Sequence, residues 1–234
     1  MANLEHLERL RAALQEGSVE GWNHWRDLEA DSALTIDLSV CDLSGTELSG
    51  ANLSRVNLGQ ATLVGTSLVG ANLAGAVLWQ TSLIDADLLG ANLTEADLLG
   101  ANLTSADLSH ARLCRANLWG SNLSEANLSH ADLSAANLSK SILVNTNLRS
   151  ARLSGCRVYG ISIWDSQLED SIQERLIISA EEEIFEDQEL VITVDNIETA
   201  QFIHLALHNP RIRGIIDSFV PFENLLNLLS EKSD

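Results

Sequence analysis

Leucine recurs at every fifth position from Leu38 to Leu153, and the series runs on through Val158 and Ile163 to Leu168. That period matches neither the ~3.6 residues of a helix turn nor the ~2 of a strand. It suits a chain that turns a corner once per repeat and winds on itself, one leucine pointing inward from each side. Two residues before each centre the side chain is small in nearly every repeat, and Ala in fifteen of them, so neighbouring walls can approach closely. The slot just before the centre holds ten Asn and six Asp, whose side chains bond nearby backbone groups in turns. Glycine two after the centre, as at Gly45, Gly65 and Gly75, supplies the freedom a tight turn needs.

The stretch "ANLTEADLLGANLTSADLS" at 91–109 resembles the A-(D/N)-L-x-x motif of the pentapeptide-repeat family, and the resemblance covers about residues 36–168. It implies a mainly β fold, a right-handed quadrilateral (four-sided) β-helix solenoid with four repeats per coil. The repeats would then make about seven coils, each contacting only its neighbours. At a strand spacing of ~4.8 Å the rod would be roughly 30 Å long.

Both ends of such a rod expose unpaired backbone groups and leucines, so something must cover them. Residues 1–35 are expected to form an α-helical cap. Leu4, Leu7, Leu10 and Leu14 follow helical spacing, Gly17 ends that helix, and "SVEGWNHWRDLEA" can form a second with Trp22, Trp25 and Leu28 on one face. The solenoid is expected over 36–170, an acidic linker over 171–188, and a strand-helix extension, α/β or α-helical, over 189–234. "ELVITV" (189–194) reads as a strand. "DNIETAQFIHLALHN" reads as a helix with Asp195 as N-cap and Glu198 completing a capping box, ended by Pro210. "FENLLNLLS" places Phe222, Leu225, Leu226 and Leu229 on one helical stripe, a candidate docking surface. The segment "VDNIETAQFIHLALHNPRIRGIID" resembles one that accompanies pentapeptide repeats beside an effector domain in bacterial signalling-type proteins.

If residues 20 apart stack, the position after each centre forms columns. One reads Ser39, Gly59, Trp79, Leu99, Trp119, Ser139, Tyr159, and the resemblance implies that this position points outward. The next contains Val64, Ile84 and Trp164, and the third Val69 and Leu89. Trp79, Leu99, Trp119, Tyr159, Val64, Ile84 and Leu89 are therefore candidate partner-binding residues, since contiguous exposed apolar surface with aromatic anchors marks contact sites. The competing expectation is that the chain's own tail covers this stripe.

Catalytic signatures are missing: there is no Walker loop, dinucleotide fingerprint, nucleophile elbow or HExxH. His110 and His130 should stack, but two imidazoles without a third ligand suit a solvated pair better than a metal. Cys41, Cys114 and Cys156 are odd in number and widely spaced, which argues against a disulfide framework, and two of them occupy the small packing slot. No cofactor is expected. The N-terminus lacks a signal peptide's basic start and apolar core, and no apolar run reaches the ~20 residues of a membrane span. A cytoplasmic location without membrane contact is the expectation.

A net charge of −19 disfavours direct nucleic-acid binding. Residues 36–168 hold eleven acids against seven bases, and residues 169–234 fifteen against four, so the acidity sits mainly in the tail. The expected function is a non-enzymatic protein–protein interaction scaffold or adaptor with an unidentified protein partner. A homodimer through the C-terminal helices or the aromatic stripe is a further expectation. The alternative, which the resemblance implies, is a DNA mimic acting on a type II topoisomerase such as gyrase. It fits less well, because mimicry needs rows of carboxylates on the rod, and Arg112, Arg152 and Arg157 interrupt them.

Overall fold

A computed structural model describes residues 2–28, 35–178, 193–209 and 211. Parallel bridges join residues 20 apart along the repeat region, from Asp37↔Asn57 to Arg157↔Ile177. Two longer pieces stand out. They are β1 (Ile142–Val144) and β2 (Ser162–Trp164), parallel and paired as Ile142↔Ser162, Leu143↔Ile163 and Val144↔Trp164.

The repeat explains this backbone position by position. Asn57 N–H donates to Ile36 O at 2.8 Å, Leu58 N–H to Val77 O at 2.7 Å and Gln60 N–H to Trp79 O at 2.9 Å. Within a turn, Ala61 N–H reaches Leu58 O at 3.0 Å. Every leucine centre from Leu38 to Leu153 is buried, and so are the alanines two places earlier. Where Thr or Cys replaces that alanine, its side chain donates to a backbone carbonyl, either in the preceding coil, as Thr66 does to Leu43 O and Thr81 to Leu58 O, both at 2.8 Å, and Cys156 to Leu133 O at 3.0 Å, or three residues back, as Thr46 does to Leu43 O at 2.6 Å and Cys41 to Leu38 O at 2.8 Å. The second residue after each centre is left-handed whatever its side chain, with φ of 58° at Gln60 and 58° at Arg115. The corner demands this conformation, so glycine there relieves a steric cost that other residues bear.

The slot before the centre has two duties. Its Oδ1 accepts the N–H two residues on, as Asn57 does from Gly59 at 3.0 Å and Asp107 from Ser109 at 2.9 Å. Asn also passes a bond down the rod: Asn57 Nδ2 to Asp37 at 3.1 Å, Asn117 to Asp97 at 2.8 Å, Asn127 to Asp107 at 3.1 Å and Asn147 to Asn127 at 2.9 Å. A carboxylate can only accept and an amide can do both, which accounts for the excess of Asn over Asp.

At the N-terminal end lie α1 (Leu4–Gln15) and α2 (Glu20–Leu28). Asn3 caps α1 by accepting Glu5 N–H, and Gly17, at φ 75°, turns the chain out of it. The buried face of α1 is His6, Leu7, Leu10 and Ala13, while Leu4 is exposed. Trp22 is buried on α2, Trp25 is half-buried and Leu28 is exposed. Leu4 and Leu28, expected on the apolar faces of these helices, are exposed instead. The polar side chains take up the open edge. Trp22 Nε1 donates to Asn52 O at 2.9 Å, Asn23 Nδ2 to Gly50 O at 3.0 Å and Arg26 Nη2 to Ser54 O at 2.6 Å. Buried His6 accepts Asp37 N–H at Nδ1.

The ladder runs past the expected boundary at 170, through Ile172 and Ile177. Gln173 in a centre slot hides this continuation from the leucine count, because backbone pairing needs no particular side chain. β3 (Leu176–Ile177) then pairs antiparallel with β4 (Thr193–Val194). The last described helix, α3 (Ile197–His208), buries Ile197, Ala200, Ile203 and Ala206. Its N-cap is Asn196, which accepts Thr199 N–H, and Asp195 instead accepts Arg175 N–H at 2.8 Å. Gln173 Oε1 takes Ile197 N–H at 2.8 Å, and Gln201 Oε1 takes Ile163 N–H. Phe222, Leu225, Leu226 and Leu229 lie outside the described residues. Among the described residues no helix is long and apolar enough to cross a membrane.

Candidate interaction site

The column that carries Trp79 divides into three parts. Trp79 is half-buried rather than fully outward. A Cβ on Gly59, one coil below, would lie 2.8 Å from its Cε2 and 2.9 Å from its Cδ1. The ring therefore fills the space that the missing side chain leaves. This is the reason a tryptophan is tolerated on the outer wall.

Leu99 and Trp119 follow, each 37% exposed. Lys140 Nζ stands 4.9 Å from the Trp119 ring centroid, a cation–π arrangement worth about 0.5–1 kcal/mol at an exposed site. Ser139 is buried above it.

Tyr159 ends the column, and here the free-surface expectation is corrected. Its hydroxyl lies 3.1 Å from His208 Nε2, and His204 meets its ring edge-on with centroids 4.9 Å apart. The end of α3 covers it. On the adjoining columns Val64 and Ile84 are half-buried and Leu89 is 39% exposed. The candidate surface thus narrows to Leu99, Trp119 and Leu89, with Trp79 as a half-buried shoulder.

His110 and His130 stack with centroids 4.8 Å apart and planes 3° from parallel. Among the described residues no three His, Cys, Asp or Glu side chains are placed to hold a metal ion. Burial pushes the Cys156 thiol up to about 12 and raises Cys41 and Cys114 as well. None is an activated nucleophile, which would need a lowered pKa. Sequence reasoning missed His6 and Gln201, each of which satisfies a backbone N–H. A polar residue inside an otherwise apolar helical stripe is the only sequence signal either carries.

A sequence profile of pentapeptide repeats matches residues 41–80, 81–120 and 121–160, just over half of the chain. The chain belongs to the pentapeptide-repeat family. Pentapeptide-repeat proteins fold as right-handed quadrilateral β-helices, in keeping with the 20-residue ladder described above. They are generally non-enzymatic structural or interaction proteins. No curated relative matches the sequence. Among solved structures, the chain is similar to HetL, a pentapeptide-repeat protein involved in heterocyst differentiation regulation from the cyanobacterium Nostoc sp. strain PCC 7120. Identity is 25% over 66% of this chain and 95% of HetL, with a TM-score of 0.40. A pentapeptide-repeat protein from the cyanobacterium Cyanothece 51142 is 26% identical over 62% of this chain and 96% of its own, at a TM-score of 0.33. QnrB1, a plasmid-mediated fluoroquinolone resistance protein, is 21% identical over 56% of this chain and 76% of its own, at 0.30.

Proposed function

We propose that this pentapeptide-repeat protein is a non-enzymatic interaction scaffold. It is a rod of about seven coils, closed by α1 and α2 at one end and by β4 and α3 at the other. It presents Leu99 and Trp119 to a protein partner. The observation that carries this reading is that both large apolar side chains stand 37% exposed in a column otherwise small or covered. The interior is uniform because the fold requires it, so partner information can reside only on the outer wall.

The ladder bears on the alternative. The carboxylates of Asp37, Asp97 and Asp107 each accept an asparagine N–H from the next coil. They serve the rod's own stacking, where a DNA mimic needs them free in rows.

The test is a pull-down with tagged wild type and Leu99→Ser/Trp119→Ser side by side. The double variant should stay folded, since surface substitutions usually cost within about 0.5 kcal/mol, and it should lose a protein that wild type captures. Identical catches would remove the stripe as a binding site. Inhibition of DNA gyrase supercoiling by both proteins would favour mimicry instead.

A further inference from the structure

Where α3 crosses the last coil, Trp164 and Phe202 stand 55% and 50% exposed. They line one notch of about 290 Å³ together with Asp165, Glu198, Gln201 and Leu205. The geometry points to a binding site for a cationic side chain, an arginine or lysine presented by a partner protein.

Each wall has a local cause. Trp164 and Asp165 are the two residues after the centre Ile163, so the corner turns both outward, with Asp165 at φ 53°. Glu198 and Phe202 are four residues apart on α3 and so share a face. Gln201 ties the two sides together through its bond with Ile163 N–H. The notch is therefore held open by the packing of α3, not formed by two mobile side chains.

The chemistry of the lining selects the ligand. Two aromatic faces attract a cation through their quadrupoles, most strongly where the cation is partly desolvated. Asp165 and Glu198 make no ion pair among the described residues, and the three pairs present lie elsewhere. Two carboxylates without an ion pair among the described residues, beside two exposed aromatic rings, offer a guanidinium both charge-assisted hydrogen bonds and a stacking surface. An apolar ligand would gain nothing from the two exposed carboxylates, and an anionic one would be repelled by them. The volume suits one side chain of a basic partner rather than a docked helix. The net charge of −19 favours approach of such a partner. The site lies on the column next to that of Trp119, so it stands or falls independently of the stripe.

The test titrates the full chain with a capped tetra-arginine peptide, and with its neutral tetra-citrulline counterpart, by isothermal calorimetry. Asp165→Asn/Glu198→Gln keeps the shape of the notch and removes its charge. Glu8→Gln/Asp170→Asn removes the same charge from exposed positions elsewhere. Trp164→Leu removes the ring and keeps an apolar side chain. The expected result is binding of the arginine peptide only, weakened about tenfold or more in the notch double variant and severalfold by Trp164→Leu. Glu8→Gln/Asp170→Asn should bind as wild type does. Equal loss in both double variants would mean diffuse attraction to an acidic chain and would overturn the site, as would no binding by wild type.

Discussion

Trp79 and Gly59 depend on each other, and the dependence is measurable. Gly59→Ala would set a Cβ within 2.9 Å of the indole, an overpacking expected to cost about 1–3 kcal/mol in chemical denaturation. In Gly59→Ala/Trp79→Ala that cost should largely vanish, giving a coupling of at least about 0.5 kcal/mol for residues in contact. Additive losses would show that the ring does not rest on Gly59. The thiols give a second test at this scale. Cys41 and Cys156 are buried, and Cys114 is only half-buried. A thiol-reactive dye should label Cys114 alone in the native protein and all three after unfolding. Native labelling of Cys156 would contradict a sealed core.

Single elements respond differently at the two ends. The ring of His204 packs against Tyr159 and His208, and Gly160 leaves the room that it shares with the Lys140 stem. Burial first, then the charges of His208 and Lys140, lower the pKa of His204 from its ordinary 6.5. A docked α3 therefore binds fewer protons than an undocked one, so its docking strengthens as pH rises. Docking should be complete above about pH 6.5 and weaken as pH falls through the depressed value. Hydrogen exchange over 197–208 should accelerate between pH 7.5 and pH 5, after correction for the intrinsic rate, while residues 58–118 stay protected. His204→Gln should flatten that response. At the other end, Trp22→Ala removes a buried ring and its bond to Asn52 O. It should cost about 3–5 kcal/mol, with exchange rising first in the coil that α2 covers. Uniform loss of protection along the rod would mean that the end and the rod unfold as one unit.

The whole molecule behaves as a stack in which each coil meets only its neighbours. Removing residues 91–110 excises 20 residues in register and joins Gly90 to Ala111, which preserves the repeat. The shortened rod should fold with a modestly lower melting temperature. Trp119 should then sit directly above Trp79, and their proximity should appear as an exciton couplet in the far-ultraviolet circular dichroism. A chain that fails to fold, or folds without the couplet, would contradict columns of residues 20 apart.

The sequence by itself marked a chain that turns a corner every five residues with its leucines inward, and its resemblance to pentapeptide repeats implied the four-sided coil and the columns of the outer wall. A strict period of five excludes a straight helix and a flat strand, and repetition multiplies a signal that is weak in any single repeat. The stacking of His110 on His130 follows from the same arithmetic. Tertiary structure decided how each outer residue is used. Trp79 is partly withdrawn because its neighbour 20 residues away is glycine, and Tyr159 is covered because α3 ends upon it. The roles of His6, Asn23 and Gln201 likewise depend on where an open sheet edge lies in space. The notch of Trp164, Asp165, Glu198 and Phe202 joins residues more than thirty positions apart. No period connects them, and only the docking of a helix without the repeat brings them together.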